Sequence, residues 1–385
     1  MVRLTDIDLG RGLAGTVVRK MAAAVGTRDV VAISAAHIDA CLYHGQAGLD
    51  FAERLLAEGA RVQVPTTLNV SSLDLLHPDL YRGDGETARL ARRLMAAYEA
   101  MGCEPTWTCA PYQLGHRPAF GDQIAWAESN AIVFANAVIG ARTNRNGDFL
   151  DIACAVTGVA PAYGLHLDEG RLGTVVIRLD GIGSELDQDW VYPILGSFLG
   201  RVAPTGVPVL VGLDERASED RLKALGAGAA STGALAMFHA VGVTPEASSL
   251  AAATGGRPVP ELSVSLEDLK AEKARLSTAH GQAVQAVSLG APHYSVAELD
   301  RLAAWLEDRR VTIPVFVNTH RDAVAAAPQA VRTIQASGAS LVTDTCTYIT
   351  PILDPSLKVE MTDSAKWAYY APGNLGVGVI FGSLE

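Results

Sequence analysis

Apolar residues recur at helical spacing along Phe51 to Glu58, where Gly59 supplies a stop, and along Glu86 to Met101, where Leu90, Leu94, Ala97, Tyr98 and Met101 share one face ahead of Gly102. A glycine placed there takes the left-handed conformation that closes a helix. Elsewhere the pattern shortens: Arg61 to Val64 is β-branched and ends at Pro65, and Thr106 to Thr108 is strand-like and runs into Cys109 and Pro111. Two apolar, β-branched runs, Thr174 to Leu179 and Val207 to Val211, flank a helix-like Val191 to Leu199, which predicts buried strands of a parallel sheet. The uncharged stretch from Ala224 to Pro245 contains Gly, Ser, Thr and His239, so it predicts a buried small-residue helix and not a membrane span.

After Thr254 the run Gly255, Gly256, Arg257, Pro258, Pro260 breaks all periodicity, and a charged amphipathic helix resumes over Leu266 to Leu276. A lobe boundary is expected there, with N-terminal and middle lobes over 1–255 and a C-terminal lobe over 256–385. In the last third, strand candidates Ala283 to Leu289, Pro314 to Asn318 and Ser340 to Thr343 alternate with helix candidates, the signature of β-α-β units. Ser295 and Glu298 form a capping-box pattern that opens the helix running towards Arg309. Beyond the three strand ends lie Gly290 to His293, Thr319 to Arg321 and Asp344 to Cys346. In open parallel sheets ligands bind outside the carboxyl ends of the strands, so these loops are expected to share one rim. The fold class that follows is α/β, multi-lobed, with mainly parallel sheets between helical layers.

Composition changes this picture little. With 49% hydrophobic residues over 385 positions the chain has material for more than one core, and its net charge of −11 argues against a nucleic-acid partner. The first ten residues carry Arg3, Asp6 and Asp8 and no apolar core segment, so neither a signal peptide nor an anchor is expected and the location expected is cytoplasmic. Five scattered cysteines without a C-x-x-C pair predict no disulfide framework. P-loop, Rossmann fingerprint, G-x-S-x-G elbow and zinc-protease helix are all missing from the sequence, so no nucleotide cofactor and no hydrolytic triad are expected.

Candidate chemistry collects at strand ends. Cys109, His293, His320 and Cys346, with the earlier cluster His37, Asp39 and Cys41, are residue types that bind iron or another soft metal, although each taken alone is as readily a satisfied core residue. Val64 to Asn69 offers Thr66, Thr67 and Asn69 either as donors to an anionic ligand or as a turn closed by its own side chains. Glu128, Ser129 and Asn130 sit inside an apolar run that leads to Arg142 and Arg145. Burying those groups costs several kcal/mol, on the order of a lost ion pair, unless they pair or meet a ligand.

The same stretches give the chain a resemblance to a known family. His37-Ile38-Asp39 to Tyr43, Val64 to Asn69, Thr108-Cys109 with Pro111-Tyr112, Glu128 to Asn130 with Asn136, and Gly140 to Arg145 are similar to motifs of aconitase X. Tyr163 to His166, Ser231 to His239 with Gly242 to Glu246, Gly290 with Pro292-His293, Thr343 to Cys346 and Met361 to Pro372 continue the likeness along nearly the whole chain. The resemblance implies an aconitase-like three-layer α/β/α fold and a hydro-lyase (dehydratase) acting on a small hydroxylated carboxylic acid such as cis-3-hydroxy-L-proline or mevalonate 5-phosphate. It implies His37, Asp39 and Lys366 as catalytic residues and Thr66, Thr67, Asn69, Ser129, Asn130, Arg145 and His293 as substrate-binding residues. It also implies iron, alone or in an iron-sulfur cluster, held by three cysteines and polarising the leaving hydroxyl. Cys109 and Cys346 match two of these, but the third, within a Gly-Cys-Pro-His sequence of the family, is Ala291. Ala110, commonly Thr, and Asp363, commonly Asn, depart in the same motifs.

Family members carry a small swivelling domain, fused or separate, that brings a catalytic serine. This chain stops at Gly382-Ser383-Leu384-Glu385, so a separate small subunit is the partner expected. Two other functions compete with the dehydratase: a metal-free isomerase or lyase on a specialised metabolite, and a non-catalytic metabolite-binding subunit. Fold alone does not decide among them.

Overall fold

The computed structural model describes residues 1–10, 12–214 and 217–384; Glu385, the last residue of the expected C-terminal stop, lies outside the described residues. The N-terminal part carries six strands, β1 (Val2–Arg3), β2 (Asp29–Ala32), β3 (Ala35–Ile38), β4 (Thr66–Leu68), β5 (Ile124–Trp126) and β6 (Val159–Pro161). They form two three-stranded sheets, β1-β2-β6 antiparallel and β4-β3-β5 parallel. Around them pack α1 (Leu13–Ala24), α2 (Gln46–Ala57), α3 (Gly85–Ala100), α4 (Ser129–Phe134) and α5 (Leu150–Thr157). Leu49, Leu55, Leu94, Tyr98 and Met101 from the two predicted helices enter this core, and Gly102 takes φ +96° at the predicted stop.

The middle sheet has the order β10-β7-β8-β9, all parallel, from β7 (Val175–Gly181), β8 (Pro208–Val211), β9 (His239–Ala240) and β10 (Glu261–Ser265). Its helices are α6 (Val191–Val202), α7 (Glu219–Thr232), α8 (Leu250–Thr254) and α9 (Leu266–Leu276). The sequence places a lobe change after residue 255; β10 lies beyond it and pairs with β7. The helix expected over Ala224 to Pro245 ends instead at Thr232. There α6 and α7 press so closely that a Cβ on Gly233 would stand 2.3 Å from the Gly200 carbonyl oxygen, and one on Gly196 would stand 2.0 Å from that of Leu225. The small residues thus serve close helix contact, and the chain turns away after it to form β9.

The last sheet runs β13-β12-β11-β14-β15, entirely parallel. Its strands are β11 (Ala286–Tyr294), β12 (Val315–Thr319), β13 (Ser340–Val342), β14 (Val359–Thr362) and β15 (Gly378–Phe381). The first three are those that the pattern predicted. Of its helices, α10 (Val296–Leu306), α11 (Arg321–Ala326) and α12 (Pro328–Ala336) share a core with Leu289, Val317 and Leu341. α13 (Ala365–Leu375) buries Trp367, Ala368 and Ala371 in a different cluster with Val379, Phe381 and residues of α6 and α7, so helices cover both faces of this sheet, as a parallel sheet requires. The capping box forms as read: Ser295 accepts from the Glu298 amide and Glu298 from the Ser295 amide.

Polar clamps hold the lobes together and so fix the rim. Asp344 accepts from both guanidinium nitrogens of Arg321 at 2.6 and 2.7 Å and from the Leu75 amide at 3.0 Å, while Asp74 accepts from the Thr343 amide at 2.8 Å. Buried Arg171 pairs with Glu246 and donates to Asn136 and to the carbonyls of Leu165 and Ala141. No helix among the described residues is long and apolar enough to cross a membrane.

Candidate functional site

Three segments with left-handed backbone meet where the rim of the last sheet faces the first lobe. Trp107 (φ 46°) precedes Thr108 and Cys109, Gly290 (φ 83°) and Ala291 (φ 80°) precede His293, and Asp344 (φ 61°) precedes Cys346. Gly290 is required, since a Cβ there would stand 2.6 Å from the Asn318 carbonyl oxygen. The sharp turns aim Cys109, His293 and Cys346 at one point, with one ligand atom from each lying within 4.8 Å of the others. All three are buried. The His293 amide donates to Cys109 Sγ at 3.3 Å; the ring Nδ1 meets Thr108 Oγ1 at 3.1 Å and Nε2 meets the Thr345 carbonyl at 2.9 Å. Ala291 lies in the same apolar cluster as the two cysteines, and its carbonyl accepts from Ser364 Oγ.

Electrostatics divide the thiols. Burial works against the Cys109 thiolate, yet the Cys346 thiol, Lys366 and the His293 amide bring Cys109 below the ordinary thiol range. The hydrogen bond to Cys109, with burial, drives Cys346 well above it. Burial pushes the His293 imidazole down to about 3, so it is neutral.

Beside the thiols lies a buried ion pair, Lys366 Nζ on Glu128 Oε1. Glu128 caps α4 by accepting from the Ala131 amide at 2.8 Å and also holds Asn130 Nδ2. Asn130 in turn donates to the Cys109 carbonyl at 3.0 Å and accepts from Tyr112 Oη at 2.7 Å. These contacts commit Asn130 to positioning the Cys109 backbone. Ser129, half-buried at the start of α4, reaches only Glu128 Oε1 at 3.5 Å.

The β3 and β4 strand ends supply the other wall. His37 Nδ1 meets Thr67 Oγ1 at 2.8 Å, while its Nε2 is buried without a partner, and burial lowers its pKa to about 3. Asn69 Nδ2 donates to Asp39, leaving Asn69 Oδ1 buried and unpaired. Burial first, then the Glu128 carboxylate, raises Asp39 to about 7, so its carboxyl is poised between acid and base near neutrality. Thr66 closes a local turn, Oγ1 donating to the Val64 carbonyl at 2.8 Å.

Of the residues read from the sequence, then, Cys109, Cys346 and His293 come together, His37 with Thr67 and Asp39 with Asn69 form pairs, and the charges of Glu128 and Lys366 act on both Asp39 and the thiols. Arg145, expected in the substrate clamp, makes its hydrogen bonds elsewhere. Its guanidinium caps the end of α7 and the turn after it, donating to the carbonyls of Ala230, Gly233 and Leu235 at 3.1 to 3.4 Å. Arg145→Ala should therefore cost about 1–2 kcal/mol of stability in urea unfolding and change substrate KM by no more than about 2-fold. A tenfold rise in KM in a stably folded variant would return it to the site. Cys41, another sequence candidate, points its thiol at the carbonyls of Ile38, Asn69 and Val70 and stands outside the thiol-imidazole group. Sequence reading missed the role of Thr108, whose hydroxyl both supports His293 and accepts from the Ala110 amide at 3.1 Å. The available signal was its place directly before Cys109.

The donor set tests the three-cysteine iron centre that the resemblance implies. Position 291 presents a methyl group, so the residues present do not fit a three-thiolate centre; they form a Cys/His/Cys group that can hold a metal.

Comparison with known proteins follows the same lines. The family models named Aconitase X first domain, second domain and third domain match residues 10–169, 173–274 and 284–385. The chain is 45% identical to cis-3-hydroxy-L-proline dehydratase of Pseudomonas aeruginosa over 97% of its own length and 65% of the relative's. Against the same-named protein of Hypocrea jecorina it is 40% identical and spans 63% of the relative, so it covers somewhat less than two thirds of either. It is 37% identical to the phosphomevalonate dehydratase large subunit of Methanothermobacter thermautotrophicus, covering 92% of this chain and 88% of that one. The crystal structure of Thermococcus kodakaraensis aconitase X in its holo-form superposes with a TM-score of 0.87 at 30% identity, covering 96% of this chain and 92% of that one.

Proposed function

The chain belongs to the aconitase X family, and from that premise we propose that it is the large, substrate-binding part of a hydro-lyase for a small hydroxylated carboxylic acid, with cis-3-hydroxy-L-proline as its first candidate. The observation that carries this reading is the 45% identity to a cis-3-hydroxy-L-proline dehydratase along 97% of the chain. It is supported by a carboxyl, Asp39, whose pKa of about 7 suits proton transfer. The 37% identity to a phosphomevalonate dehydratase large subunit of the archaeal relative above supports mevalonate 5-phosphate as the second candidate.

In this reading water leaves across two adjacent carbons: the proton on the carbon bearing the carboxylate goes to a base, and the hydroxyl on the next carbon leaves with a proton from an acid. Protonated Asp39 is the acid, held by Asn69. Thr67 and the unpaired atoms of His37 and Asn69 are the polar groups left to orient the substrate. Lys366 and Glu128 fix the charge balance around Asp39 and Cys109. Iron, where a family member holds it, supplies Lewis-acid polarisation of the hydroxyl. The base belongs to a second, small polypeptide, a partner supported by the relatives named as large subunits. We place the pair in the cytoplasm, and neither nucleic acid nor membrane enters the reading.

The test is water loss from cis-3-hydroxy-L-proline and from mevalonate 5-phosphate, followed by NMR, with the chain alone and with a small swivel-domain polypeptide of the family. Turnover of the hydroxyproline only in the presence of the small polypeptide is the expected result. Inertness towards both substrates in either arrangement rejects the assignment.

A further inference from the structure

We propose that Cys109, Cys346 and His293 together bind one thiophilic divalent ion of the zinc class, with the imidazole as third protein ligand through Nδ1. The first support is geometric: one ligand atom from each residue lies within 4.8 Å of the others, in a pocket from which water is excluded. Four-coordinate zinc takes sulfur and nitrogen ligands at about 2.0–2.3 Å, so donors on opposite sides of one ion stand some 3.3–3.8 Å apart. The donors therefore stand within about 1.5 Å of the spacing that one such ion sets.

The second support is the proton on the ring. A carbonyl oxygen only accepts, so the contact of Nε2 with the Thr345 carbonyl at 2.9 Å places the single imidazole proton on Nε2. Nδ1 is then left with its lone pair, now engaged by the Thr108 hydroxyl at 3.1 Å. A histidine whose second nitrogen is anchored on a backbone carbonyl is the arrangement that orients metal-bound imidazoles. Giving up the one neutral hydrogen bond from Thr108 is a small cost against the binding of a structural zinc ion.

The third support is the thiol pair itself. Two sulfurs and one nitrogen suit a zinc-class ion and not a three-thiolate centre, for which position 291 supplies no sulfur. The ion so held is not redox-active, so the site tolerates oxygen as long as its thiols stay reduced. The inference stands apart from the proposed dehydration, because it concerns binding and not turnover.

The experiment titrates the reduced, metal-free full-length chain with Co2+ under anaerobic conditions, followed by Zn2+. One Co2+ per chain is expected, with near-ultraviolet thiolate-to-cobalt charge transfer and the intense visible bands of a tetrahedral site, all removed by one equivalent of Zn2+. His293→Ala should weaken binding by about 100-fold or more, whereas Thr108→Val, which frees Nδ1 of its competing hydroxyl, should bind at least as tightly as the parent. A folded parent chain that shows no such bands overturns the proposal, as does a His293→Ala variant with unchanged affinity and spectrum. If His293→Ala does not fold, Cys346→Ser carries the test: loss of charge-transfer intensity supports the ligand set and an unchanged spectrum overturns it. A chain that binds no ion yet dehydrates its substrate removes only this inference. One that binds the ion and leaves both substrates intact removes only the proposed activity.

Discussion

Lys366→Met should lower the free energy of unfolding by about 3–5 kcal/mol in urea titrations, the loss seen when one member of a buried ion pair is removed. The reason lies less in the attraction lost than in the charge left behind. Glu128 and Lys366 are 3% and 5% exposed, and in the variant the Glu128 carboxylate keeps only the Ala131 amide, Asn130 and a long contact from Ser129. Removing both charges relieves that penalty, so Lys366→Met combined with Glu128→Gln should regain most of the loss. The Gln can still accept from Ala131 and so keep α4 capped. Turnover should not return with stability, because the Lys366 charge, which opposes the carboxylates around Asp39 and favours the Cys109 thiolate, is missing from both variants. A single variant that loses less than about 1 kcal/mol would mean that water reaches the pair and that the site is more open than described.

This pair also marks where sequence reading stops. Glu128 was visible as an acid in an apolar run, and Lys366 as a residue of a family motif, but they are joined across 238 positions. Nothing local encodes such a partnership. What local rules govern was legible: the Ser295 and Glu298 capping box, the glycine stop at 102, and strands β11, β12 and β13 came from chemistry contained within a few residues. Local rules failed where tertiary contacts replace the ladder. Arg61 to Val64 reads as a strand, yet the Val62 and Gln63 amides donate to the Met101 and Ala155 carbonyls at helix ends, and pairing begins only at Thr66. Thr106 to Thr108 likewise reads as a strand. The Thr106 hydroxyl and the Thr108 amide tie it to the Leu68 carbonyl, and Trp107 at φ 46° breaks the extended run. The rim expectation holds for His293 and Cys346 because the parallel strands β11 and β13 end on one side, whereas Cys109 reaches the same point through the turn at Trp107 and not from a strand end. For Arg145, residue type alone does not tell that its guanidinium meets the carbonyls at the end of α7.

Asp39→Asn should reduce turnover of the complete enzyme by about 10^2 to 10^4-fold, the usual contribution of a positioned general acid. The pH profile tells this apart from simple damage. Asp39 is partly accessible to solvent but walled by Glu128, Asp148 and Asp151, with Lys366 as the opposing charge; burial and those carboxylates raise its pKa from 3.8 to about 7. As an acid it must be protonated, so kcat/KM, which reports the free enzyme, should fall with rising pH through about 7 in the parent and lose that limb in the variant. Stability carries the same sign. A folded-state pKa above the unfolded value means that Asp39 contributes fully below about pH 4, loses that contribution as pH rises towards 7, and is a constant penalty above it. Asn, which cannot ionise, should therefore be more stable than the parent at pH 8, by about 2 kcal/mol after allowance for partial solvent access, with no advantage near pH 4. Asp151, also raised to about 7 by burial, keeps its own share of the pH dependence in both proteins, so the comparison isolates Asp39. An Asn variant within tenfold of the parent, with the limb near pH 7 intact, would pass the role of acid to another group. A variant that is inactive but no more stable at pH 8 would show that Asp39 is ionised in the folded enzyme and acts as a base.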